Sequence, residues 1–151
     1  MNIRKKPLRR LKSGIGGHGD LPGEIMDEFK EPDTWTIITA LDRILDMAQD
    51  SQLSDEFWES VKNPLAFLNK ELGLTNVQIV ALAMLIEAGE PMSWKRLGNY
   101  LGCSRLSMMV YSEEIEELVT KRWAIRKGAH EVGGCFEGFA LVRGVITALR
   151  H

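Results

Sequence analysis

The stretch Ser93-Trp94-Lys95-Arg96-Leu97-Gly98-Asn99-Tyr100-Leu101-Gly102-Cys103-Ser104-Arg105 decides how this chain is read. Ser93 is placed to cap a short helix, and Trp94, Leu97, Tyr100 and Leu101 recur at spacings that share one helical face. Gly102 ends that helix, because the tight turn that follows needs a positive φ and glycine supplies it without steric cost. Ser104 then caps a longer helix carrying Leu106, Met109, Val110, Ile115, Leu118 and Val119, with charged residues between them. Upstream, Thr75 or Asn76 caps a helix with apolar Val77, Val80, Ala81, Leu82, Met84 and Leu85, and Gly89-Glu90-Pro91 stops it. Three helices, the last two joined through Gly-Cys-Ser, have the pattern of a helix-turn-helix.

After the third helix comes a short apolar run, Trp123-Ala124-Ile125, then Arg126-Lys127 and a loop holding Gly128, Gly133 and Gly134. A second run goes from Cys135-Phe136 to Phe139-Ala140-Leu141. Two short runs around a glycine-containing loop read as a β-hairpin. A hairpin directly after a third helix is the wing of a winged helix. The expected fold is therefore mainly α with a small β-hairpin, a winged helix-turn-helix over residues 74–151 preceded by additional packed helices. That fold serves DNA, RNA and protein recognition alike, so it does not choose a function by itself.

Several positions carry a more specific likeness: Leu74-Thr75 with Gln78, Gly102-Cys103-Ser104, Glu114 with Leu118, Lys121-Arg122 with Ile125, Phe139-Ala140-Leu141, Val145-Ile146 and Ala148-Leu149. In these residues the second half of the chain resembles the winged-helix module found N-terminal to some bacterial AAA-type ATPase domains. The resemblance implies a module that binds DNA or a protein partner and positions an ATPase. It also implies that a C-terminal ATPase domain, with its Gly-x-x-x-x-Gly-Lys-Ser/Thr loop, would be encoded beyond His151.

The segments ahead of Leu74 differ in character. Residues 1–32 read as a flexible basic and glycine-rich tail, broken by Gly14, Gly16, Gly17, Gly19 and Gly23 and by Pro7, Pro22 and Pro32. Its Gly14-Ile15-Gly16-Gly17-His18-Gly19 lacks both a preceding apolar strand and a Lys-Ser/Thr ending, so it is not expected to cradle phosphate. Residues 33–73 read as helices that pack on the following domain or form a dimer interface. Asp33 caps a helix to about Gln49 with Trp35, Ile37, Ile38, Leu41, Ile44, Leu45 and Ala48 as its apolar face. Ser54-Asp55-Glu56 opens a second, and Pro64 is the first residue of a third that reaches Gly73. Trp35, Phe57, Trp58 and Phe67 are read as core rather than as a ligand platform.

Charge bears on the partner. Residues 1–19 carry +6, residues 20–73 carry −9 and residues 74–151 carry +1, so the part expected to fold has no basic footprint of the kind phosphate binding requires. No apolar run reaches the length of a membrane span and no secretory segment is evident, which with only Cys103 and Cys135 points to a cytoplasmic, reducing location.

Catalytic chemistry is not expected. Cys103, Cys135, His18, His130 and His151 have none of the short spacings of a zinc site, so neither metal nor cofactor is anticipated. Glu113, Glu114, Glu116 and Glu117 fan around a helix as a solvated run. The candidate nucleic-acid contacts are Ser104, Arg105, Ser107, Met108 and Tyr111 at the start of the third helix, with Arg105 suited to a bidentate guanine contact. Lys95 and Arg96 on the preceding helix and Arg126, Lys127 and His130 on the hairpin would hold phosphates. Three functions follow: an ATPase-associated recognition module, a stand-alone DNA-binding transcriptional regulator, and a protein-interaction winged helix that leaves DNA alone. A homo-oligomer is compatible with each.

Overall fold

A computed structural model describes residues 31–131 and 134–149. The expected tail and its glycine run fall almost entirely outside the described residues. The element that positions everything else is a helix over Asn76–Ala88, designated α4 in chain order, which buries every residue from Val77 to Leu85. A helix apolar all round has no solvent face to offer and must be enclosed. Its start is set by a capping box: the Thr75 hydroxyl accepts from the Gln78 amide, and the Gln78 side chain accepts from the Thr75 amide. Gly89, at φ 68°, ends it. Each fully enclosed Leu, Ile or Met here contributes about 1.5–3 kcal/mol of burial.

One side of α4 is covered by the helices ahead of it: α1 (Ile37–Ala48), α2 (Asp55–Ser60) and α3 (Lys62–Leu72). Helix α1 contacts both α3 and α4, inserting Ala40, Leu41, Ile44, Leu45 and Ala48. It begins three residues later than expected. Thr36, not Asp33, is the cap, because Thr36 and Thr39 satisfy each other's backbone amides, while Asp33 stays exposed and Trp35 precedes the helix, half-buried against the core. Ser54 caps α2 as expected, accepting from the Phe57 amide. Helix α3 starts two residues before Pro64; a proline in the first turn lacks only an amide that has no intrahelical partner, so the position is tolerated.

A loop without glycine joins α1 to α2. Asp50, Gln52 and Leu53 take φ values of 57°, 58° and 51°. What holds them there is the end of α5 (Trp94–Leu101). The Asp50 amide donates to the Tyr100 carbonyl at 2.8 Å and the Gln52 amide to the Leu101 carbonyl at 2.7 Å. These are orphan carbonyls of the last helical turn, so the loop caps α5 from outside. The Tyr100 hydroxyl completes the junction by donating to the Leu45 carbonyl at 2.9 Å.

The other side of α4 faces α6 (Arg105–Thr120) and a three-stranded antiparallel sheet of β1 (Met92–Ser93), β2 (Ala124–Glu131) and β3 (Gly134–Leu141), in the order β1-β3-β2. A short helix, α7 (Val145–Leu149), follows. The hairpin runs in continuous register from Ala124↔Leu141 to Glu131↔Gly134. Gly128, expected in the loop, is instead a strand residue opposite Glu137, because continuing the ladder satisfies backbone groups that a loop would leave to water. Strand β1, two residues long and not foreseen, pairs Met92 with Phe139 and Ser93 with Gly138. Met92, Phe139 and Ala124 are buried beneath the sheet, and Trp94 meets the Phe139 ring edge-on at 5.1 Å between centroids. The architecture is thus mainly helical with a small antiparallel sheet. Among the described residues no single helix is long and apolar enough to cross a membrane.

Candidate functional site

The turn between α5 and α6 is built by two glycines. Gly102, at φ 77°, lies against Asp50, where an added Cβ would sit 3.2 Å from the Asp50 Cα. Gly98 has an ordinary conformation, but its Cβ would come within 2.9 Å of the Cys103 carbonyl oxygen and 3.1 Å of the Met108 side chain. The absent side chain lets the turn and the first turn of α6 close onto α5. Ser104 caps α6, its hydroxyl accepting from the Ser107 amide at 3.1 Å and sharing a bond with the Ser107 hydroxyl. Both serines, candidate base contacts by sequence, therefore engage one another, although both remain exposed.

Helix α6 has two apolar faces. The inward one presents Met108, Ile115 and Leu118, all buried, with Tyr111 half-buried beside them. Met108, a candidate for a groove contact, is 2% exposed and enclosed by the core; it is removed from the candidate set, because the register that buries Ile115 and Leu118 points it the same way. The outward face shows Leu106 at 77%, Met109 at 66% and Val110 at 76% exposure. They stand in solvent beside Ser104, Arg105 and Ser107, the candidate groove contacts that remain exposed. Arg105 and Glu113 flank them, both exposed and, among the described residues, without an ion-pair partner.

The C-terminal half of α6 is fixed by a polar contact that sequence reading missed. Gln78 is fully buried and uses its whole amide. Its nitrogen donates to the Glu114 carbonyl at 2.8 Å and to Glu117 Oε1 at 2.9 Å, while its oxygen accepts from the Thr75 amide at 3.1 Å and from Lys121 Nζ at 2.9 Å. A buried amide with all its donors and acceptors satisfied offsets its desolvation through those hydrogen bonds and orients its neighbours. The end of α6 is a Schellman turn: the Trp123 amide donates to the Leu118 carbonyl and the Arg122 amide to the Val119 carbonyl. Arg122 occupies the left-handed position, at φ 70°, where glycine is usual.

The basic candidates divide. Arg96 is tied to Glu90 at 3.1 Å and to the Pro91 carbonyl at 3.3 Å. Arg126 approaches Glu116 at 3.6 Å and lies 5.8 Å from the Phe139 ring centroid. Lys95, Arg105 and Lys127 are exposed and, among the described residues, free of ion pairs. The His130 side chain lies outside the described part of the hairpin; its backbone pairs with Cys135.

Burial pushes the Cys103 thiol above its ordinary pKa, which keeps it protonated and a poor nucleophile at neutral pH. The Tyr111 phenol is raised as well, first by burial and then by nearby Cys103 and Glu114. Among the described residues no group of three or more His, Cys, Asp or Glu side chains is arranged to hold a metal ion. A shallow groove of about 320 Å³ runs between the end of α4 and α7, lined by Leu85, Ile86, Pro91, Leu141, Arg143 and Ile146 among others. No family model, curated protein or solved structure matches this chain.

Proposed function

We propose that the chain is a non-catalytic winged-helix recognition module that engages a protein surface through the outward face of α6. The winged-helix reading is supported by the order helix, strand, helix, helix, strand, strand from α4 to β3 and by the strand order β1-β3-β2, which brings the hairpin beside the presented helix. The observation that carries the protein target is the exposed trio Leu106, Met109 and Val110, an apolar patch beside Arg105 that offers a nucleic acid neither donors nor acceptors. Glu113 and Glu117, exposed further along the same helix, oppose a phosphate backbone, and Arg96 and Arg126 have carboxylate partners within the chain. In this reading the module works in the cytoplasm, and its likeness to the segment ahead of AAA-type ATPase domains favours a task of steering such an ATPase to its target.

The second reading, a DNA-binding regulator, draws on exposed Lys95, Arg105 and Lys127. Fluorescence anisotropy with random duplex DNA at low and near-physiological salt separates the two. The protein-recognition reading expects no association at either ionic strength. Binding that weakens steeply with salt and disappears in Arg105→Ala would return the DNA reading.

A further inference from the structure

The geometry points to a second copy of this chain as the occupant of the α6 face, packed antiparallel across a two-fold axis beside Met109. The inference rests on the protein-recognition reading above and names its partner. Arg105, Leu106, Met109, Val110 and Glu113 fall within about 140° of one another around the helix, so they form a single face. Along the axis the face is ordered: a cation without an ion-pair partner among the described residues at one end, three exposed apolar side chains in the middle, and a carboxylate equally without one at the other. Arg105 and Glu113 stand four residues either side of Met109, about 6 Å in each direction. Turning such a helix end for end about Met109 superimposes apolar on apolar and sets each Arg105 against the other copy's Glu113.

This is the self-complementarity that an isologous contact requires. A parallel arrangement would put Arg105 on Arg105 and Glu113 on Glu113. Leu106 and Val110, one i,i+4 ridge, interdigitate with the same ridge of the second copy, and Met109, the most adaptable of the three, meets itself at the axis. The contact is small, so the dimer is expected to dissociate in a range on the order of micromolar.

Light scattering and sedimentation equilibrium of the purified chain over a wide concentration range test this directly. The expected result is a concentration-dependent dimer, weakened at least about 30-fold by Val110→Glu. Arg105→Glu should weaken it too, and Arg105→Glu combined with Glu113→Arg should restore it. In addition, Met109→Cys should cross-link to a covalent dimer under mild oxidation, whereas Glu59→Cys, exposed on α2, should not. Circular dichroism checks that each variant keeps its helix content. A monomer at every concentration overturns the inference and leaves the face to a different protein. A dimer indifferent to Val110→Glu and to the charge exchange overturns it equally, by placing the contact elsewhere. Salt-dependent DNA binding lost in Arg105→Ala would strike instead at the reading beneath it.

Discussion

Helix α4 buries nine consecutive residues in 13, whereas α6 buries three in 16, although both carry large apolar side chains on more than one face. The first is a keel, enclosed by α1 and α3 on one side and by α6 and the sheet on the other. The second is shared between interior and exterior. Its inner face, Met108, Ile115 and Leu118, belongs to the fold, and its outer face, Leu106, Met109 and Val110, faces solvent. The lesson is that apolar content in a helix does not reveal what it is for; the same residue types stabilise the molecule in one place and are available to a partner in the other.

The contrast is easiest to break at the keel. Leu82 is fully buried, and Leu82→Ala should cost about 2–5 kcal/mol, read as a lower midpoint in urea unfolding followed by circular dichroism. A loss no greater than that of a surface substitution would mean α4 is not enclosed as described. Next in size is the polar tie between the two helices. Gln78→Ala leaves the Glu114 carbonyl without its side-chain donor and Lys121 without its acceptor, and removes half of the Thr75 capping box, so about 1–3 kcal/mol should be lost. Gln78→Glu should recover only part of it, because a carboxylate still accepts from the Thr75 amide and from Lys121 but cannot donate to the Glu114 carbonyl and meets Glu117 with like charge.

Why one half of this arrangement is readable from sequence and the other is not has a physical basis. Helix starts and stops depend on chemistry within three or four residues, and Thr75, Ser54, Ser93 and Ser104 cap the helices that sequence assigns to them. Gly73, Gly89 and Gly102 likewise sit at left-handed positions. The α1 cap, Thr36 where Asp33 was expected, is a local choice between neighbouring candidates, but most of what sequence did not reveal involves distant partners. Asp50, Gln52 and Leu53 hold left-handed backbone only because α5 offers carbonyls to their loop, and nothing in Asp50-Ser51-Gln52-Leu53 announces it. Strand β1 exists only opposite β3. The outward face of α6 was obscured for the same reason: sequence sets Met109 among the apolar positions and Met108 among the groove contacts, and the packing of Met108 against Gly98 of α5 reverses the two.

A smaller effect, of opposite sign, sharpens the account of how α6 ends. Arg122 holds the left-handed position of a Schellman turn with a Cβ that makes it unfavourable by about 1–2 kcal/mol. Arg122→Gly relieves that strain while giving the unfolded chain more freedom, and the two together should raise stability by up to about 1 kcal/mol. Thermal unfolding should show a modestly higher midpoint. A lower one would mean that the Arg122 side chain contributes more than its backbone costs.

The smallest change in intrinsic stability is expected on the outer face, and there the comparison between the two helices becomes sharpest. Val110 is 76% exposed, so Val110→Ser removes little buried surface and should shift the unfolding free energy of the monomer by no more than about 0.5 kcal/mol. Protein concentration separates this from any contribution of self-association. A dimer stabilises the folded state by mass action, so the wild-type midpoint should climb as the protein is concentrated, and the Val110→Ser midpoint should climb less. At high dilution the two curves should coincide. If Val110→Ser is destabilised at every dilution by as much as a core truncation, α6 buries both its faces and is a second keel, not a surface held out to a partner.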